Sequence, residues 1–250
     1  MARKKVLGNC HICGNYGSLS FEHVPPRAAF NNRPIILKRG LDLINSDLDN
    51  LKGEIKQKGS GDHTLCPKCN NSTGRWYAKD FAEWAYQGMR ILSYTKGKPS
   101  IYYTFHIFPL RVIKQVITMF FSANSLNFRN AYPELVRFVL NKEANHLDEK
   151  FKIYCYYNTG TRSRQLGLAV AINTVKRTKV LMSEIAYPPM GYLLTISSPP
   201  PDPRLLDITF MSNYRYNDRK NIPLRLPILP IYTYHAGDYR DKDTVMQQSE

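Results

Sequence analysis

The clearest pattern in the chain begins near its first third. The segment "RWYAKDFAEWAYQGMRIL", residues 75–92, sets Tyr77, Phe81, Trp84 and Gly88 at helical spacing, with Trp76 and Ala85 beside them. An apolar stripe of that period predicts an amphipathic helix that starts after "NSTG". "LRVIKQVITMFFSAN" repeats the pattern through Val112, Ile113, Val116, Ile117, Phe120 and Phe121. "AYPELVRFVLNKE" predicts a third helix with Pro133 in its first turn, where a missing N–H loses no partner. From about residue 151 the period shortens to two, in "KIYCYYN", "QLGLAVAIN", "TKVLMSEI", "GYLLTISS" and "LDITFM", each bounded by Gly, Pro or Asn. That alternation predicts an antiparallel sheet. "SSPPPDPR" reads as a rigid turn, "NIPLRLPILPIYTYH" as an extended edge or lid interrupted by prolines, and "DKDTVMQQSE" as a frayed tail.

The residues before 75 read differently. "GNCHICGNYGS" is a tight turn, and "NNRPIILKRGLDLINSDLDNLKGEIKQKGSGDH" is polar with a Gly-Ser-Gly break. This stretch has too little apolar periodicity to fold unaided, so a bound metal would supply what its core lacks. The expected fold class is α+β, divided into residues 1–92 and residues 93–250, with helices to about residue 145 and mainly strands after them.

Composition narrows the function classes. With 250 residues, 43% of them hydrophobic, the chain can bury a core. No run approaches the roughly 18 apolar residues of a membrane span, and "MARKKVLGNC" has no signal-length apolar stretch, so a soluble cytoplasmic protein is expected. The net charge of +15 makes a polyanion the natural partner, because clustered Lys and Arg release counterions from phosphates. Residues 1–75 carry 12 basic and 6 acidic residues, so the excess is not confined to a tail. A body that lies along nucleic acid is favoured over a basic arm.

Four of the five cysteines form two C-x2-C pairs, Cys10 with Cys13 and Cys66 with Cys69, separated by 52 residues. Cys155 sits alone in a strand pattern. Paired cysteines in a cytosolic chain point to a structural Zn2+ held by four thiolates. Between the pairs, "LSFEHVPPRAAF" reads as a short strand ending in Glu22-His23, with Pro25-Pro26 stiffening its exit. Alone, a Glu-His dipeptide is an ordinary surface pair.

A cysteine knuckle, a strand ending in Glu-His, and a second knuckle running into Asn70 and a helix together resemble the HNH nucleases, the ββα-metal group of treble-clef endonucleases. The likeness is to stand-alone bacterial members that read approximately CxxC, EHxPP, then LCxxCNxxTG and a helix containing WY, and it covers residues 8–90. It implies that residues 1–92 form a zinc-stabilised HNH module that cuts phosphodiester bonds in double-stranded DNA. His23 would be the general base, Glu22 and Asn70 would hold a catalytic Mg2+ or Mn2+, and the zinc would stay remote from the chemistry. Asn71 is the stand-in if the register differs by one. Many members carry Asp where Glu22 stands and His where Asn70 stands, and members with Glu and Asn are familiar.

Arg27, after the proline pair, and Arg75 and Lys79, in the first turns after Asn70, are the candidates for flanking phosphates. His63, just before the second knuckle, is a candidate to touch substrate or hydrogen-bond a cysteine sulfur, with an ordinary surface histidine as the alternative, and His11 is expected to face solvent. Trp76, Tyr77 and Trp84 share the apolar stripe and are read as core. The region after residue 92 carries no readable motif. Its basic excess and edge-like proline segments suit substrate selection or a homodimer. Two other readings stay open: a non-catalytic zinc-stabilised nucleic-acid-binding protein, and an HNH-type ribonuclease or effector.

Overall fold

The computed structural model describes residues 5–38, 53–94, 97–160, 162–173 and 178–247. The N-terminal part is richer in strands than its polar sequence suggests. It contains β1 (Val6–Asn9), β2 (Tyr16–His23), β3 (Ile35–Leu37), β4 (Glu54–Lys56) and β5 (Gly61–Leu65). β1, β2 and β5 form an antiparallel sheet in that order, and β3 pairs with β4 as a separate ribbon. Residues 39–52 of the polar run lie outside the described residues.

The first helix begins earlier than the apolar stripe indicates. Cys66 caps it, Pro67 occupies its first turn, and α1 (Pro67–Thr73) runs through a π-helical turn at Gly74–Ala78 into α2 (Lys79–Leu92). Gly74 adopts ordinary helical angles, with φ −59°, so "NSTG" continues the helix instead of preceding it. The Cys66 sulfur accepts the Cys69 N–H at 3.5 Å, and a proline after the cap sacrifices no hydrogen bond.

After α2 come β6 (Ser100–Ile107), α3 (Pro109–Ala123), α4 (Leu126–Ala131) and α5 (Pro133–Leu140). Strands β7 (Phe151–Tyr157), β8 (Arg164–Asn173), β9 (Thr178–Tyr187) and β10 (Met190–Ile196) follow, then β11 (Leu206–Asp207), β12 (Lys220–Pro227) and α6 (Lys242–Gln247). The large sheet has the order β11-β7-β10-β9-β8 and is antiparallel throughout. "LDITFM" is a strand only at Leu206–Asp207, because Thr209–Asn213 winds into a 3-10 turn with Met211 buried. The proline-interrupted segment is β12, which pairs with β6 in a two-stranded ribbon. The expected frayed tail includes the short exposed helix α6.

The helical stripe predicts an amphipathic α3, yet thirteen of its residues are buried, Lys114, Gln115 and Thr118 among them. It is enclosed because it packs against α2, α5, β5, β8 and β9 at once. Its polar groups find partners inside: Lys114 Nζ donates to the carbonyls of Phe138 and Asn141 at 2.7 and 2.6 Å. Burial pulls the Lys114 ammonium down to about 7. One hydrophobic core joins Cys10, Ile12, Val24, Leu65 and Cys69 to α2, α3, β7 and β10, so it crosses residue 92.

A second core covers the opposite face of the large sheet with residues 229–239. There Glu184 is wholly buried and accepts from Tyr156, Tyr239 and Arg164 at 2.7, 2.8 and 2.9 Å.

The predicted stripe of α2 packs as expected, with Tyr77, Phe81, Trp84 and Gly88 buried. Trp84 Nε1 donates to Tyr192 Oη at 2.8 Å and so ties α2 to β10. Replacing Trp84 by Phe removes that donor and part of the ring volume. It should destabilise the protein by about 2 kcal/mol, seen as a lower urea midpoint with an unchanged slope.

Candidate metal centre and the adjoining strand end

The two knuckles converge through ordinary backbone pairing. In the first, Gly14 N–H donates to Cys10 O at 2.8 Å and Cys10 N–H to Asn15 O at 3.0 Å, which closes the turn between β1 and β2. Gly14 sits at φ +80°, and a Cβ there would lie 2.8 Å from the Arg129 guanidinium, which donates to Ile12 O at 3.0 Å. Only glycine satisfies both demands. His11 N–H donates to Thr64 O at 2.9 Å and so fastens this turn to β5, two residues before the second knuckle.

The four sulfurs of Cys10, Cys13, Cys66 and Cys69 all lie within 4.8 Å of one another. Cys13 Sγ and Cys66 Sγ are 3.8 Å apart. Tetrahedral thiolates at a zinc–sulfur distance of about 2.3 Å stand about 3.8 Å from each other, so the spacing suits such an ion. These cysteines could hold a metal such as zinc, and among the described residues they are the one cluster of this kind.

The electrostatics agree with the geometry. A hydrogen bond from Cys69 lowers Cys10 to about 4, whereas that same bond, burial and the charge on Cys10 push Cys69 far up. Burial likewise raises Cys13. Without a cation, crowded thiols ionise one at a time. A cation lets all four act as ligands.

Glu22 and His23 end β2 one strand away from β5. His23 Nε2 lies 3.1 Å from Lys58 O, and because a carbonyl only accepts, Nε2 carries the proton. Nδ1 is then the free acceptor. Partial burial, with the charges of Arg27 and Lys58, lowers the His23 pKa despite that hydrogen bond. Its ring packs against Phe21 at 4.9 Å, and Phe21 in turn meets His63 at 5.4 Å.

Glu22 is 8% exposed, and its side chain makes no hydrogen bond or ion pair with the described residues. Burial alone pushes its carboxyl up to about 8. Burying an ionised carboxylate without a partner is costly, which is why its proton is retained to higher pH. Asn70, on α1, donates its Nδ2 to Ser20 Oγ at 3.0 Å and to Phe21 O at 3.3 Å, just before Glu22 on the strand. Its Oδ1 has no partner among the described residues, and Asn71 beside it is exposed.

Several supporting residues carried no signal in the sequence. Asn31 is fully buried, donates to Pro25 O and Ser60 O at 2.7 Å each, and accepts from Ser60 N–H at 2.7 Å. It pins the proline exit of β2 to the turn before β5. The Gly-Ser-Gly "break" is that turn: a Cβ on Gly61 would lie 2.1 Å from Glu22 O, so only glycine lets β5 close on the strand end. Lys58 and Ser20 act through a backbone carbonyl and a hydroxyl, which residue type does not reveal.

The remaining candidates separate. Arg27 stands near His23, exposed. Arg75 is exposed beside Tyr216, whose hydroxyl donates to Trp76 O at 3.2 Å, and Lys79 is exposed on the first turn of α2. His11 does not face solvent as expected. Its Nδ1 lies 3.1 Å from Phe121 O, because the knuckle packs on the end of α3.

Metal analysis after exhaustive dialysis should find about one zinc per chain, and Cys69→Ser should lose it together with several degrees of thermal midpoint. Asn31→Ala removes three hydrogen bonds to backbone groups, two of which, Pro25 O and Ser60 N–H, lose the partner that Asn31 supplies. It should destabilise the fold by about 2 kcal/mol in denaturant titrations while keeping the metal. Compared with known proteins, the chain matches no family model, no curated protein and no solved structure.

Proposed function

We propose that the chain is a metal-dependent endonuclease of the HNH type, with a treble-clef ββα module held by zinc at Cys10, Cys13, Cys66 and Cys69, and that it hydrolyses phosphodiester bonds in DNA. The observation that carries this reading is the pairing at the end of β2: a histidine whose Nδ1 is free as a base beside a buried glutamate with no partner. Both suit hydrolysis at phosphorus.

His23 takes the proton from the attacking water at Nδ1, while the Lys58 carbonyl holds the ring in one tautomer and orientation. Glu22 and the Oδ1 of Asn70 supply the hard oxygen donors that suit Mg2+ or Mn2+. Such an ion, when bound, neutralises the phosphate and the leaving oxygen. Asn70 has a further duty, since its amide hydrogens fix α1 against β2. Arg27 is the nearest exposed cation for a phosphate beside the cut.

Purified protein with Mg2+ or Mn2+ should nick or linearise supercoiled plasmid, and His23→Ala should slow this by 10²- to 10⁴-fold, on the order of a lost general base. Glu22→Gln and Asn70→Ala should raise the metal concentration required. An intact plasmid across divalent metals, or equal cutting by the His23 variant, sinks the assignment. RNA offered in the same tube separates a ribonuclease, and duplex binding without cleavage would leave a zinc-stabilised binding protein.

A further inference from the structure

The β6–β12 ribbon has an outer face that the proposed active site does not use. Its cross-strand pairs Tyr102 with Arg225, Thr104 with Pro223 and His106 with Asn221 point outward, while Ile101, Phe105, Ile222, Leu224 and Leu226 are buried beneath. Tyr102 is 63% exposed, with the Arg225 guanidinium 5.7 Å from its ring centre. His106 and Asn221 hydrogen-bond to each other across the strands. The Gln87 side chain donates to His106 O and accepts from its N–H, both at 2.9 Å, and so holds the ribbon to α2. The face is therefore fixed from below and from one side.

The chain segments that build and flank it are mainly basic. Residues 84–133 contain six Lys and Arg and no Asp or Glu, and residues 208–237 contain four Lys and Arg and only Asp218. Asp218 is engaged in its own turn, accepting from Arg215 N–H at 3.1 Å. Asp80, near the start of the ribbon, is taken by Arg111 at 3.1 Å. Arg111 in turn lies 4.1 Å from the ring centres of both Phe108 and Tyr216, which orders the loop leading to Arg219. Arg219, Lys220 and Arg225 form no ion pair among the described residues, and Arg219 stands 5.8 Å from the Phe108 ring centre.

We infer that this face, from Arg219 at one end to Arg225 and Tyr102 toward the other, with the exposed Lys220 at its rim beside Arg219, is a docking surface for the phosphate backbone of duplex DNA. The inference rests on the nuclease reading only for the class of substrate. The eight-residue strand β12 extends over roughly 24 Å, the greater part of a duplex turn. Exposed cations toward its two ends can meet phosphates, and the ring of Tyr102 lies across the ribbon from Arg225. A membrane is a poorer match, because the outward pairs are polar or charged and offer no apolar wedge to insert.

The test is fluorescence anisotropy with a 20-base-pair duplex, no added divalent metal, and a salt titration. Combining Arg219→Ala, Lys220→Ala and Arg225→Ala should weaken binding at least tenfold and reduce the slope of log K against log salt by about 2 to 3. Arg219→Lys with Arg225→Lys should retain most of the affinity. Lys5→Ala, Lys152→Ala and Lys179→Ala together, a charge-matched control on other elements, should bind within twofold of wild type. Zinc content and thermal midpoint verify that each variant is folded. Unchanged affinity and slope in the first triple variant, an equal loss in the control, or a loss confined to anionic phosphatidylserine vesicles would each overturn the proposal. Wild-type protein that binds the duplex but never cuts it would defeat the nuclease reading and leave this surface standing. Wild-type protein that does not bind the duplex would defeat the surface.

Discussion

The four-sulfur cluster is the constraint on which the N-terminal architecture turns. Its cysteines come from a hairpin turn and from the first turn of a helix, 52 residues apart in sequence. Polar segments of this kind bury little apolar surface and cannot hold such a long closure by packing alone. Once the sulfurs meet, the rest follows. The Cys66 cap sets the first turn of α1, α1 presents Asn70 to β2, and the same helix continues without interruption into α2, whose Trp84 reaches β10.

The clamp would be a loose appendage if its surroundings were polar, but they are not. Cys10, Ile12, Val24, Leu65 and Cys69 belong to the core that surrounds α3. That helix carries polar side chains into the interior, where Lys114 ties the final carbonyls of α5 and so joins two helices instead of reaching solvent. The strand end that carries Glu22 and His23 is thereby mounted on a rigid body. Asn31 and Gly61 complete the mounting, one through three hydrogen bonds and the other through the absence of a side chain.

Burial and charge are divided between the two ends of the molecule's chemistry. Inside, each buried ion finds partners: Glu184 with Arg164 and two tyrosines, Asp80 with Arg111. Glu22 departs from that rule, since its buried side chain has no partner among the described residues. Outside, the excess of lysine and arginine is left unneutralised on faces such as the β6–β12 ribbon, where self-repulsion is tolerable only because solvent screens it.

What the sequence by itself determined was periodic or covalent in origin. The stripe of α2, the helices α3 and α5, the strands β7 to β10 and the paired cysteines are visible because local spacing dictates which face is apolar and which atoms can ligate. β6 is not legible in the sequence because "SIYYTFHI" follows a polar break and, among the described residues, pairs with β12, more than a hundred residues later. The helix start at Pro67 was hidden because its first turn is defined by a sulfur cap and not by an apolar stripe. Only the tertiary structure decided that His23 keeps Nδ1 free, that Glu22 lies buried without a partner, and that Asn70 faces β2 while Asn71 faces solvent. Those outcomes depend on groups from distant segments meeting in space, the Lys58 carbonyl, the Ser20 hydroxyl and the bare backbone of Gly61, and no local pattern of residue types encodes such meetings.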